Sequence, residues 1–328
     1  MSRIHEALKK AEQERASAPA ADLSTISSVE THVVEHGSIH VQDQLARTGI
    51  ADPANYTPRR EAPVTASPDF LRFDDLRKKC THPTWHLDPN VNVFINSAMN
   101  AHGAEQFRTL RSRLYQMRST QPLKTLLVTS SVPAEGKTFV TNNLAQSIVR
   151  QPDRRVLIID ADLRCSRLHV PLGAPPSPGL TEYLAGEVDE YAVVQSGLDG
   201  NLCFIPGGSQ TSHPSELLSN GRLKDLLTRM APVFDWVILD SPPLLPVADS
   251  SFLADMVDGI LLVVRAGQTP MATAQRSVQE LQGRNVVGVA LNAVDPAQAY
   301  GSYYSSAYGY GYGYGYGAGT QTKGERAQ

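Results

Sequence analysis

The chain is short of cysteine, with only Cys80, Cys165 and Cys203, an odd number lacking the close pair spacing of a metal-binding knuckle. That excludes a disulfide framework and a cysteine-held zinc site, and it points to a reducing compartment. Long apolar runs are also missing. The longest, such as Gly259 to Val264, hold about six residues, against the roughly 20 that a membrane-spanning helix requires. Met1 to Ala18 contains no continuous apolar stretch and does not read as a secretory signal. Charge of one sign is scarce too. A formal net charge of -3 and a pI near 6.3 give no global attraction to nucleic acid or to an anionic membrane. The expectation is a cytoplasmic protein that binds no nucleic acid.

What is present is unevenly distributed. Apolar residues concentrate between about Thr125 and Val294, enough for one sizeable core. Ile4, Ala7, Leu8 and Ala11 fall at helical spacing and suggest a short amphipathic helix at the start. Ser17 to Asn90 is rich in Ala, Ser, Thr, Pro and His without sustained periodicity and reads mainly as a linker, so residues 1–95 are expected to form a largely disordered extension. From Ala104 to Met117 the apolar residues Phe107, Leu110, Leu114 and Met117 recur every three or four positions, which predicts an amphipathic helix over 104–118.

Short Val, Ile and Leu runs then alternate with helical patterns. They lie at Thr125 to Thr129, Val156 to Ile159, Leu202 to Ile205, Trp236 to Leu239, Ile260 to Val264 and Val286 to Leu291. Continuous rather than alternating apolar character marks strands covered on both faces. The fold class is therefore α/β, a doubly wound and mainly parallel sheet, within a domain spanning 96–296. Residues 297–328 form a tail of different character. Tyr300, Tyr303, Tyr304, Tyr308, Tyr310, Tyr312, Tyr314 and Tyr316 are interleaved with small residues and end in a strict Gly-Tyr alternation. Glycine at every second position raises the entropy cost of ordering, so the tail is expected to be mobile.

The chemistry sits at strand ends. Ser131-Val132-Pro133-Ala134-Glu135-Gly136-Lys137-Thr138 follows the first strand and opens a helix that continues with Phe139, the context that gives a P-loop string meaning. Its backbone N–H groups cradle phosphate, Lys137 reaches the terminal phosphates, and the Thr138 hydroxyl is a magnesium ligand. Ser131 replaces the usual first glycine. Two further strands end in acids, one in Asp160 and Asp162 and the other in Asp240. Any one of these is explained as readily by capping a turn, but three around one phosphate loop imply ATP with Mg2+, held by Thr138, Asp160 and Asp240.

Several strings carry a family resemblance. Asp160-Ala161-Asp162-Leu163-Arg164, the loop with its Pro133 and Gly136-Lys137-Thr138, and Asp240-Ser241-Pro242-Pro243 are similar to the three nucleotide motifs of the bacterial tyrosine kinases (BY-kinases). Glu105, Arg108 and Arg111 resemble that family's E-x-x-R-x-x-R helix, and the tail resembles its C-terminal tyrosine cluster. The resemblance implies a P-loop autokinase that phosphorylates its own eight tail tyrosines and controls exopolysaccharide synthesis and export. It also implies a ring built through Glu105, Arg108 and Arg111, a transmembrane chain-length-determinant (polysaccharide co-polymerase) activator holding the protein at the inner face of the membrane, and an opposing tyrosine phosphatase. Catalysis then falls to Lys137, Asp160, Asp162 and Asp240, with Asp162 either the general base or support for magnesium. Asn292 resembles the base-contacting asparagine of the wider ATPase group; the alternative is a polar strand end that bonds locally.

A partitioning or positioning ATPase of the same fold is the principal rival. Such proteins carry a second lysine early in the P-loop, where this chain has Val132. A third possibility is an ordinary ATPase with the Gly-Tyr tract as an adhesive appendage.

Overall fold

The six predicted apolar runs all become strands, and all run parallel. In the computed structural model, which describes residues 71–95, 100–197 and 200–294, they are β1 (Thr125–Ser130), β2 (Val156–Asp160), β4 (Leu202–Ile205), β5 (Trp236–Asp240), β6 (Gly259–Arg265) and β7 (Val286–Asn292). A short β3 (Gln195–Gly197), not anticipated from the sequence, pairs antiparallel with β4. The sheet order is β3-β4-β2-β5-β1-β6-β7. Neighbouring residues along each strand feed opposite layers. Leu127, Leu157, Ile159, Val237 and Leu239 join one apolar cluster, while Leu126, Val128, Ile158, Trp236 and Ile238 join the other. Both faces being covered explains why β1, β2, β4, β5 and β6 read as continuous apolar runs, whereas the edge strand β7 leaves Val289 and Leu291 exposed.

Ten helices are described: α1 (Phe73–Lys79), α2 (Ala101–Arg118), α3 (Lys137–Val149), α4 (His169–Leu172), α5 (Leu180–Ala185), α6 (Glu190–Val193), α7 (Pro214–Ser219), α8 (Arg222–Met230), α9 (Asp249–Ala254) and α10 (Met271–Glu280). The helix predicted over 104–118 is α2, three residues longer at its start. Burial of every residue from Val140 to Ile148 makes α3 the central helix, fixed directly behind the P-loop.

The expected N-terminal extension is corrected by α1 and the segment after it. Phe73 stacks edge-on against Phe234 at 5.6 Å, and Leu76 is completely buried in the core. Thr81 docks beside β3, donating its N–H to Val194 O and accepting from Ser196 N. Further along, Trp85 packs edge-on against Phe204 at 6.1 Å. Two buried asparagines of α3 hold the irregular backbone beyond it. Asn142 donates to the Asn92 side chain, and Asn143 bonds Val91 O and Val93 N. The folded unit thus begins at least 25 residues before position 96. Its contacts come from single large side chains and polar clamps rather than from a repeating pattern, so periodicity does not reveal them. The first-helix prediction at Ile4 to Ala11 and the eight tail tyrosines lie outside the described residues.

Candidate active site

β1, β2 and β5 deliver their acids and the P-loop to one end of the sheet. β5 lies between β1 and β2, with Asp160 directly opposite Asp240 across the β2–β5 pair and Val128 opposite Asp240 across β1–β5. Sequence-remote carboxylates therefore meet the loop between Ser131 and Thr138. Two residues of that loop adopt the left-handed conformation, Ala134 with φ of 65° and Gly136 with φ of 94°. Ser131 is not among the residues with positive φ, which explains why this position tolerates a side chain. Gly136 tolerates none: a Cβ there would stand 2.1 Å from Asn292 Nδ2.

Lys137 opens α3, and its Nζ sits 2.9 Å from Asp162 Oδ2. The Thr138 hydroxyl donates to Asp240 Oδ2 at 2.6 Å, and Thr141 Oγ1 lies 3.3 Å from the other Asp240 oxygen. Asp160 is fully buried. Its Oδ2 accepts from the Ser166 hydroxyl at 2.7 Å and from Leu168 N at 2.9 Å, and its Oδ1 accepts from Asp162 N at 3.2 Å. Asp162 Oδ1 accepts from Cys165 N. Thr138, Asp160 and Asp240, the three expected metal ligands, thus lie together, with Asp160 committed to the loop after β2.

Charge in this cluster is out of balance. Three carboxylates face one lysine, and burial together with repulsion from Asp240 pushes Asp160 up to about 7. Burial likewise raises Asp240 to about 6, against the opposing pull of Lys137 and the hydroxyl bonds from Thr138 and Thr141. Burial works to lower Lys137, but Asp240, Asp162 and Asp160 override it and hold its pKa up. A divalent cation is the species such a deficit of positive charge accommodates. Among the described residues, no group of three or more His, Cys, Asp or Glu side chains is arranged to hold a metal unaided.

The structure gives Glu135, Asn292 and Arg164 contacts that the sequence reading did not supply, and brings in Thr269, Ser215 and Asp249. Glu135 is buried beneath the loop, where its carboxylate accepts from Val132 N at 2.8 Å and bonds the Thr269 hydroxyl. Asn292 donates to Glu135 O at 2.9 Å, so its amide braces the loop from β7. Arg164 forms a two-pronged pair with Asp249 at 2.6 and 3.1 Å, and Ser215 donates to the same carboxylate. Arg164 was visible inside the D-x-D-x-R string. Nothing in the sequence singles out Asp249, 85 positions away.

No protein-family model matches the chain. Tyrosine-protein kinase YwqD of Bacillus subtilis is 32% identical over 190 residues, which cover 58% of this chain and 80% of that protein. The chain belongs to the bacterial tyrosine-protein kinase family. The solved kinase domain of the Escherichia coli tyrosine kinase ETK agrees, at 36% identity and a TM-score of 0.56, covering 58% of this chain and 75% of that one. Tyrosine-protein kinase ptk of Acinetobacter johnsonii is 32% identical over 262 residues, 78% of this BY-kinase chain. The chain spans only about a third, 34%, of ptk's own length.

Proposed function

We propose that this BY-kinase chain is an ATP- and Mg2+-dependent protein-tyrosine autokinase whose acceptors are its own tyrosines between 300 and 316. The observation that carries the reading is the convergence of Lys137, Thr138, Asp160, Asp162 and Asp240 on one P-loop in a chain that also supplies eight closely spaced tyrosines.

Phosphoryl transfer asks mainly for positioning and neutralisation of charge. Loop amides from Ser131 to Phe139 cradle the phosphates. Lys137, parked on Asp162, moves to the terminal phosphate and frees Asp162 Oδ2. Thr138 and Asp240 would hold magnesium, with Asp160 supporting it from the floor of the site, and the bound ion would supply neutralisation of the phosphate charge. The acceptor's phenolic oxygen bonds to the γ-phosphorus as the bond to the β,γ-bridging oxygen breaks and ADP leaves. The phenolic proton passes to Asp162, because a tyrosine with a pKa of about 10 is protonated at neutral pH.

The same reading places the protein in the cytoplasm, at the inner membrane face, regulating polysaccharide synthesis and export through a transmembrane chain-length-determinant partner. No described helix is long and apolar enough to cross a membrane. A ring assembled through Glu105, Arg108 and Arg111 and a reversing phosphatase complete the scheme. Incubation with ATP and magnesium followed by anti-phosphotyrosine detection tests the activity. Signal is expected from the full chain and none from Lys137→Met or from a chain ending at Asp295. Nucleotide turnover without phosphotyrosine would favour the ATPase switch.

A further inference from the structure

A cavity of about 370 Å³ opens between the loop after β2, the start of α4, Pro176 and the loop after β4. It shares a wall with the acid cluster. Ser166 lines it and donates to Asp160, Arg164 follows Asp162 by two positions, and a Cβ on Gly207 would stand 2.6 Å from Ser166 Oγ and 3.7 Å from Asp160 O. The strand order sets this cavity, on the β2 and β4 side, across the P-loop from Asn292 on β7. A nucleotide with its phosphates on the Ser131–Thr138 loop and its base on the β7 side would leave it vacant for a second substrate.

The lining is free of carboxylates and contains Arg164, Arg167 and His169. Arg164 is committed to Asp249, whereas Arg167 is exposed and forms no ion pair with a described carboxylate. At the rim, Val170 is 53% exposed, an apolar side chain that the fold leaves uncovered beside a solvated cation. Apolar contact and a free guanidinium together suit an aromatic ring bearing a polar oxygen, since arginine stacks on ring faces and donates to oxygen.

We propose that this cavity seats the acceptor: a tyrosine side chain flanked by glycine or other small residues, packed on Val170 and Pro176 with Arg167 over its ring. Small neighbours let the backbone approach closely, and the Gly-Tyr tract from Tyr308 to Tyr316 has that character. This assignment rests on the tyrosine-kinase reading above.

The test separates catalyst from acceptor. The catalyst is the full chain with its eight tail tyrosines changed to Phe, carrying the native cavity, Arg167→Glu or Val170→Glu; the acceptor is full-length Lys137→Met. Initial rates of acceptor phosphorylation against acceptor concentration give KM, and titration with ATP and magnesium gives nucleotide Kd. Each cavity variant is expected to raise acceptor KM by roughly tenfold while nucleotide Kd stays within about twofold, which also reports that the variant is folded. Unchanged acceptor KM overturns the assignment. An equal rise in nucleotide Kd overturns it too, by placing the cavity in the nucleotide site. Absence of phosphotyrosine even with the native cavity refutes the underlying kinase reading, and the acceptor assignment with it.

Discussion

Asp160 and Asp240 show what single residues cost this fold. Both titrate above the ordinary 3.8, at about 7 and about 6, so the unfolded chain releases these protons before the native one does. Between about pH 4 and pH 7 the native state binds more protons, and stability falls as pH rises through that window. Asp240→Asn removes one buried ionisation. The nucleotide-free variant is expected to exceed the parent in stability by on the order of 2 kcal/mol at about pH 7.5, with the gap closing toward about pH 4. Thermal melts across that range check this. Adding ATP and magnesium should reverse the order at neutral pH, because only the parent retains the carboxylate proposed to hold the metal. A parent already as stable as the variant at neutral pH would contradict the charge imbalance. At this scale the sequence was partly legible. The P-loop and strand-end acids announced themselves, but the Lys137 partner, the brace from Asn292 to Glu135 and the Arg164–Asp249 pair depend on side-chain directions that no local pattern encodes.

Among elements, legibility followed burial. Strands covered on both faces carry unbroken Val, Ile and Leu, and their expected bounds differ from the observed ones by about a residue. β3 escaped because Gln195-Ser196-Gly197 is short and carries no apolar signature. α1 escaped because its core contribution rests on Phe73 and Leu76 alone. Leu76→Ala is nonetheless expected to cost about 2–5 kcal/mol by denaturant unfolding, the range for a fully buried leucine. A loss below about 1 kcal/mol would mean that α1 is peripheral. On α2, Arg108 pairs with Glu105 at 3.0 Å with both side chains exposed, while Arg111 donates to Ser147 O on α3. An exposed i,i+3 pair contributes roughly 0.2–1 kcal/mol at most. Arg108→Ala with Arg111→Ala should therefore leave the protein folded while lowering its oligomer mass in analytical ultracentrifugation. Unchanged mass would remove these arginines from assembly.

The whole molecule joins a phosphate site to a tyrosine store. A Gly-rich coil of roughly 30 residues has an end-to-end distance of about 30 Å, enough to span a domain, so the number of residues after Asp295 permits the proposed transfer within one chain or between copies. Each phosphate added there brings about -1.5 to -2 charges to a segment in which Tyr308, Tyr310, Tyr312, Tyr314 and Tyr316 stand two residues apart. The direct test is to incubate the purified full chain with ATP and magnesium and to map phosphate by peptide mass spectrometry, with Lys137→Met in parallel. The expected result is phosphotyrosine confined to positions 300–316 and absent from the variant. No phosphotyrosine, even with the cytoplasmic segment of a chain-length-determinant partner present, would contradict the account.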